Sequence, residues 1–216
     1  MTDQTAGAAS ETGPGPGSGP GTRPGSASLS DSVRAWLADA RNVDQAVYAA
    51  IARTPTPTLD RGMSTLSHAA NYSRLWMASA AVLALVGGRS GRRAATEGLV
   101  SVAVTSATVN LALKRFGRRQ RPDRTEEHVP IGRHVRMPTS LSFPSGHSAA
   151  AFAFAAGVGN RLPLIGVPLH ATAGVVAYSR VHTGVHHPSD VVVGSMLGTV
   201  LAQLTTRALD RYHGSH

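Results

Sequence analysis

Three short motifs in the second half of the chain carry side chains suited to phosphate chemistry. The motifs are Lys114-x6-Arg121-Pro122, Pro144-Ser145-Gly146-His147 and Ser179-Arg180-x5-His186-x3-Asp190. Together they supply three cations, a Ser-Gly turn, two histidines and one carboxylate. Such a set can bind a phosphate, attack it with one imidazole and protonate the leaving group with another. The motifs therefore predict a phosphoryl-transfer site.

The first motif offers two cations. Lys114 and Arg121 are seven residues apart, so the end of one helix could present both to a phosphate before Pro122 stops it. The arginine adds a bidentate fork for phosphate oxygens. Taken alone, the motif is more typical of a solvated or headgroup-facing basic run, because further arginines surround it: Arg115, Arg118, Arg119 and Arg124.

The second motif precedes an apolar, helix-forming run that begins at Ala149. The Ser145 hydroxyl and the Gly146 amide would then lie at a helix N-terminus, where free N–H groups and the helix dipole favour an anion. Glycine also permits close approach of the backbone to an oxyanion. His147, on the first turn, would face the same anion. By itself, an ordinary Ser N-cap beside an incidental histidine explains this motif equally well.

The third motif contains Asp190, the only carboxylate between Glu127 and Asp210. Asp190 follows Pro188, a residue typical of the first helical position. His186, four residues earlier, is its natural partner, although position alone leaves His187 open. A carboxylate that holds one ring nitrogen leaves the other unprotonated and nucleophilic.

These motifs resemble those of the type 2 phosphatidic acid phosphatase and vanadium haloperoxidase superfamily, and the chain is similar to actinobacterial membrane lipid phosphatases. The resemblance implies that His186, oriented by Asp190, forms a phosphohistidine, and it selects His186 over His187. It implies that His147 protonates the leaving alkoxide and then activates water. It also implies a reaction without metal or other cofactor, and a phosphate-binding set made of Lys114, Arg121, Ser145, Gly146 and Arg180.

Two alternatives share the motifs. One is a vanadium-dependent haloperoxidase, but haloperoxidases of this superfamily are larger soluble proteins, whereas this chain is short and apolar. The other is a phosphotransferase that passes the phosphoryl group from the same phosphohistidine to an alcohol. A non-catalytic membrane protein that binds anionic headgroups through 114–124 would have no use for His147, His186 and Asp190 together.

Composition narrows the partners. The chain has 216 residues, no cysteine and a net charge of +9, which excludes disulfides and thiolate chemistry and suits an anionic partner. The densest basic run, 114–124, holds only one aromatic residue, Phe116, so nucleic-acid binding is not expected. We expect a lipid or prenyl phosphate substrate and a membrane as partners. The sequence does not determine the oligomeric state.

The N-terminal third divides into two parts. Residues 1–28 are rich in Gly, Pro and Ser and are expected to be a disordered tail without a signal peptide. Residues 29–70 predict an amphipathic helix that ends near Arg53 and a short second helix, both at the membrane surface. The apolar stripe of the first helix comprises Val33, Trp36, Leu37, Ala40, Val43, Val47 and Ile51, with Asp44 largely elsewhere.

The remainder, 71–210, is the expected catalytic domain. It contains five apolar stretches, at about 75–88, 97–113, 147–160, 162–179 and 189–206. Each is shorter than the roughly 20 residues of a confident membrane span, but five in succession favour a membrane protein. The sequence thus predicts an all-α membrane helical bundle of about five or six helices, multi-pass in the cell membrane, with the site at one end.

Overall fold

The computed structural model of the protein describes residues 28–113 and 119–214. The predicted disordered tail, apart from residue 28, and Lys114 of the first motif lie outside these residues. The chain divides into two compact units, Met1–Ala38 and Asp39–His216. Within the first unit, the structure describes only the N-terminal part of one helix, up to Ala38. The packing given below is that of the second unit.

The described residues form seven α-helices and no strand, which confirms the predicted all-α class with one helix more than expected. Two short 3-10 turns, Asn71–Ser73 and Ile131–Arg133, lie between helices. The helix bounds are α1 Leu29–Arg53, α2 Pro57–Ala69, α3 Arg74–Val86, α4 Gly88–Ala107 with a π-helical extension Thr108–Leu113, α5 Gly146–Arg161, α6 Pro163–His182 and α7 Pro188–Gly214.

Helix α5 lies at the centre and packs against α4, α6 and α7. Its buried residues are almost all alanine or glycine, with Phe154 as the large exception. Small side chains let helix axes approach closely, and such close van der Waals packing is typical of helices that associate within lipid, where the hydrophobic effect does not drive association. Phe154 fills the remaining space and contacts Trp76 of α3, with ring centroids 5.5 Å apart.

A stripe of small residues on α7 fixes the two helix ends that carry the second and third motifs. A Cβ at Gly198 would lie 2.1 Å from the Ala149 carbonyl oxygen, and one at Gly194 would lie 2.5 Å from that of Ser145. The Ser145 amide donates to the Asp190 carbonyl at 3.0 Å. Glycine at these positions therefore allows the N-terminus of α7 to lie directly beside the N-terminus of α5.

The opposite face of α7 is exposed and apolar. It carries Val192, Met196, Val200 and Leu204, each more than half exposed. Within the described residues, two helices are long and apolar enough to cross a bilayer, Gly88–Leu113 and Pro188–Gly214, and only 33% of the most apolar window of each is buried. A core helix of a soluble protein would be mostly buried. An apolar face of this length suits lipid contact and supports a membrane location.

Helix α1 ends at Arg53 as predicted, and it packs through a face other than its apolar stripe. Its buried residues are Asp44, Tyr48 and Ala52, whereas Val43 and Val47 of the predicted stripe are 63% and 42% exposed. The packed face is therefore the one that carries Asp44, away from the apolar stripe. The reason is electrostatic, because Asp44 meets an arginine and an α7 backbone amide, as described below.

Candidate active site

The third motif places a histidine directly on a buried carboxylate. His186 Nδ1 lies 3.5 Å from Asp190 Oδ2, and both side chains are almost fully buried. Asp190 Oδ2 also accepts the Ser142 hydroxyl at 2.5 Å and the His187 backbone N–H at 2.9 Å. A carboxylate held by several donors fixes the ring of its histidine partner. His186 is thereby presented with Nδ1 towards Asp190 and Nε2 away from it.

The Nε2 atom of His186 meets the cation of the first motif. Arg121 Nη1 lies 3.3 Å from it, and the guanidinium is anchored by the carbonyls of Val185 at 2.6 Å and Ser140 at 2.9 Å. Burial is the main cause that lowers the pKa of His186 to about 4; the hydrogen bond to Asp190 opposes this fall, and the charges of Arg121 and Arg180 contribute to it. The imidazole is therefore neutral at pH 7, as a nucleophile must be.

The arginine of the first motif is not helical. The described helix ends at Leu113, and Arg121 lies in irregular chain, so the expectation that one helix end carries the motif's arginine was wrong. The physical reason lies in the anchoring just described, since contacts to the loops of residues 140 and 185 hold the side chain where a continued helix would carry it away. Lys114 lies outside the described residues.

The second motif begins α5 as predicted. Ser145 is the N-cap, and its buried hydroxyl lies 3.4 Å from the Ser148 amide and 2.9 Å from the Ser148 hydroxyl. The hydroxyl of Ser145 thus serves the helix end, while Gly146 and His147 line the cavity described next. The free N–H groups at this N-terminus favour an anion there.

One cavity brings the motifs together. It has a volume of about 230 Å³ and is lined by Arg121 of the first motif, Gly146 and His147 of the second and His186 of the third. The other lining residues are Ala70, Tyr72, Ser73, Ser106, Asn110, Pro138, Ser140 and Ala150. Drug-sized ligands occupy pockets of about 300–1,000 Å³. This space suits a phosphoryl group and its immediate substituents, so a lipid chain would extend beyond it.

Arg180 lies behind this cavity and is not among its lining residues. It is 1% exposed and donates to the hydroxyl of Ser67 on α2 and, at 3.4 Å, to the Ser67 carbonyl. Its Nε has no hydrogen-bond partner among the described residues. Its charge nevertheless acts on the site, because it contributes to the lowered pKa of His186.

Two further histidines of this segment, His182 and His187, lie outside the cavity. His182 Nε2 lies 3.0 Å from Asp60 Oδ1, within a cluster that includes the fully buried Arg133. The ring of His187 packs against Tyr48, with centroids 5.8 Å apart, and its Nδ1 lies 3.6 Å from Asp190. Neither histidine lines the cavity. Within the described part of the chain, no three His, Asp or Glu side chains gather as metal ligands.

The structure adds an ion-pair bridge that sequence reasoning missed. Arg119 lies 3.2 Å from Asp190 Oδ1 and also pairs with Asp44 of α1. Asp44 in turn accepts the backbone N–H and the hydroxyl of Ser189, both at 2.7 Å. This bridge fastens the first turn of α7 to α1. The sequence offered no distinguishing signal, since Arg119 lies in a run of arginines and Asp44 on an amphipathic helix.

A second missed residue is Asn71, whose Oδ1 lies 2.9 Å from His147 Nε2. Asn71 begins the turn between α2 and α3, where Tyr72 and Ser73 have φ values of 55° and 57°. Left-handed backbone at non-glycine residues costs about 1–3 kcal/mol each and persists only where surrounding structure holds it. Two in succession indicate that packing fixes Asn71 beside His147.

Comparisons with known proteins agree with this geometry. Residues 94–213 match the family model of the PAP2 superfamily. The chain is 37% identical over 145 residues to a decaprenylphosphoryl-5-phosphoribose phosphatase of Mycobacterium tuberculosis, covering 64% of this chain and 74% of that protein. It is 34% identical to the protein of the same description from Mycolicibacterium smegmatis, covering 73% and 84%.

The fold also has a solved counterpart. The crystal structure of a transmembrane PAP2-type phosphatidylglycerolphosphate phosphatase from Bacillus subtilis matches with a TM-score of 0.61 and 26% identity, covering 80% of this chain and 87% of that one. Fold, motifs and family model coincide over the same helices, α4 to α7. The protein belongs to the PAP2 superfamily.

Proposed function

We propose that this protein removes the terminal phosphate of a prenyl-linked phosphosugar through a phosphohistidine at His186. Its broader class follows from family membership and from the relatives above: it is a lipid phosphate phosphatase. One observation carries the proposal for the site. His186 and His147 line the same cavity as Arg121, and the Asp190 carboxylate lies 3.5 Å from Nδ1 of His186.

The first half-reaction uses both histidines. The neutral Nε2 of His186 attacks phosphorus, a P–N bond forms, and the P–O bond to the leaving alcohol breaks. Asp190, on Nδ1, stabilises the positive charge that develops on the ring. His147, in its protonated form, gives its proton to the departing alkoxide, a contribution worth about 10²- to 10⁴-fold.

The second half-reaction reverses these roles. His147, now neutral, takes a proton from water, the oxygen attacks phosphorus, and the P–N bond breaks. His186 returns to its neutral form and inorganic phosphate is released. The same residue pair therefore serves both steps, as microscopic reversibility requires of a double displacement.

Five residues form the proposed phosphate-binding set, and the structure supports a contribution from each of the four that it describes. Arg121 lines the cavity and can neutralise non-bridging oxygens directly. Gly146 presents the N-terminus of α5, which Ser145 caps. Arg180 adds positive charge from behind the cavity, which stabilises the charge of the transition state. Lys114, outside the described residues, completes the set.

The substrate class is favoured by the relatives. The two mycobacterial proteins are described as acting on decaprenylphosphoryl-5-phosphoribose, and the match covers at least 74% of their length. A prenyl-linked substrate also agrees with a small cavity beside helices whose outer faces are apolar, since the prenyl chain would remain in lipid.

The proposal includes a multi-pass position in the cell membrane, with α1 and α2 at its surface. The absence of cysteine permits a direct test with single-cysteine variants in native membranes. Thr125→Cys, in the exposed loop after Arg121, should react with a water-soluble maleimide once the vesicles are permeabilised. Val200→Cys, on the apolar face of α7, should react only after denaturation. Prompt labelling of Val200→Cys would contradict a lipid-facing α7.

The function itself is tested by phosphate release from purified protein in neutral detergent. The panel comprises a prenylphosphoryl-ribose 5-phosphate, a polyprenyl phosphate and a phosphatidate. We expect the phosphosugar to be preferred, turnover to persist in EDTA, and vanadate to inhibit. Acid quenching should trap a labelled phosphoenzyme that is absent in His186→Ala. Loss of activity in EDTA that Mg²⁺ restores would contradict the mechanism, and preference for phosphatidate would contradict the substrate class.

A further inference from the structure

A second cavity adjoins the catalytic one. It has a volume of about 310 Å³ and shares Tyr72, Pro138, Ser140 and His147 with the first cavity. The rest of its lining consists of Asn71, Arg136, Met137 and Thr139. His147, the proposed acid for the leaving group, thus borders both spaces. The leaving alcohol must lie next to His147 to receive its proton. Because the second cavity is lined by His147 but not by His186, it is the space in which the departing alcohol would fit.

The lining of this second cavity is suited to a polar and anionic group. Asn71 and Thr139 supply an amide and a hydroxyl, and Arg136 supplies a cation. A purely aliphatic leaving group would displace water from these polar groups without replacing its hydrogen bonds. Sugar hydroxyls would satisfy them.

Arg136 differs from the other arginines of this region. Arg119 and Arg133 form ion pairs with carboxylates, and Arg121 and Arg124 donate to backbone carbonyls. Arg136 is exposed, and within 28–113 and 119–214 no hydrogen bond or ion pair engages its guanidinium. It is therefore available to an anion that enters with the substrate.

We propose that the second cavity is a leaving-group subsite, in which Arg136 binds a second anion of the substrate, the phosphodiester that joins the sugar to the prenyl chain. The inference rests on the proposed function, because it requires His147 to act as the acid for the leaving group. It adds a specificity determinant: the enzyme distinguishes a phosphosugar carrying a diester from an otherwise equal monoester without one.

The test uses two synthetic substrates in neutral detergent. Both are ribose 5-phosphates with the same short prenyl chain at the anomeric carbon, joined through a phosphodiester in one and through an uncharged ether in the other. The variants are Arg136→Gln and Arg136→Lys. The matched control is Arg207→Gln, which removes the same charge from an exposed arginine of α7.

Because Arg136 is exposed, water screens its interaction with an anion, and we expect an effect of about tenfold. Arg136→Gln should lower kcat/KM for the diester by about tenfold, mainly through KM, and change the ether by less than about twofold. Arg136→Lys should retain much of the preference, and Arg207→Gln all of it.

Three results would overturn the inference. Arg136→Gln could lower both substrates equally, the wild type could fail to prefer the diester, or the effect could appear only in vesicles that contain anionic phosphatidylglycerol. The last result would assign Arg136 to the bilayer surface. Failure of the proposed function is distinguishable from all three, since the wild type would then release phosphate from neither substrate.

Discussion

The bridge from Asp44 through Arg119 to Asp190 predicts a large effect for Arg119→Gln. Two buried carboxylates, 5% and 0% exposed, share this one guanidinium. Removal of one partner from a buried ion pair costs about 3–5 kcal/mol. Because Arg119 is itself 27% exposed, water screens part of the charge, and we expect a loss of about 2–3 kcal/mol. In a chain of this size that corresponds to a fall in Tm of about 4–12 °C.

The assay is thermal unfolding in detergent, arranged as a double-mutant cycle with Asp44→Asn. Arg119→Gln alone leaves two buried carboxylates without their shared arginine, and the second change removes one of these charges. The double variant should therefore be more stable than the sum of the single effects by at least about 1 kcal/mol. Arg53→Gln is the matched control, since its ion pair with Glu127 lies 68% exposed on the arginine side; it should cost less than about 1 kcal/mol.

Activity distinguishes positioning from stability alone. Arg119 acts through Asp190 on the nucleophile, so kcat should fall about tenfold, or 1.4 kcal/mol, at temperatures where the variant remains folded. The fall should be the same for a lipid phosphate and for an activated aryl phosphate. Additive free energies in the cycle, or an Arg119→Gln as mild as Arg53→Gln, would refute the reasoning.

Further predictions concern the histidines and the helix packing. His186→Ala should abolish turnover of every substrate, whereas His147→Ala should lose about 10²- to 10⁴-fold on lipid phosphates and recover partly on an aryl phosphate that needs no proton; equal loss of both on the aryl phosphate would contradict these roles. The pKa of His186, lowered to about 4 from 6.5, predicts that kcat/KM for the aryl phosphate falls only as pH drops towards 4. The same shift makes the unfolded state bind more protons between these values, so stability should decrease as pH falls through that window; an acid limb of activity near 6.5 would contradict the shift. Gly198→Ala should destabilise by at least about 1–3 kcal/mol, since its Cβ would lie 2.1 Å from an α5 carbonyl. Gly174→Ala, with nothing within 4 Å of the added atom, should be neutral or stabilising by up to about 1 kcal/mol, and similar melting temperatures for the two variants would argue against the close helix contact.

Local sequence signals were sufficient for most of the helices and for the order of the motifs. Ser145 was recognisable as an N-cap and Pro188 as the first residue of a helix, because capping and the fixed φ of proline act over one turn. The apolar stretches also predicted α3 to α7, because a run of apolar residues is a local signal of a buried or membrane helix. The structure extends α4 towards the N-terminus, since this helix begins at Gly88, before its apolar portion. The contact of His186 with Asp190 is likewise local, because the two residues are only four positions apart.

Tertiary structure decided which of the available side chains the site uses. Arg119 and Asp44 are 75 residues apart in the sequence, and Asn71 and His147 are 76 residues apart. No sequence periodicity relates positions so distant. Their pairing depends on where whole helices pack, and that packing follows from small residues on α5 and α7 that allow the two N-termini to meet. The face through which α1 packs was likewise decided by tertiary structure, because the buried carboxylate of Asp44 requires partners and finds them in Arg119 and the Ser189 backbone N–H.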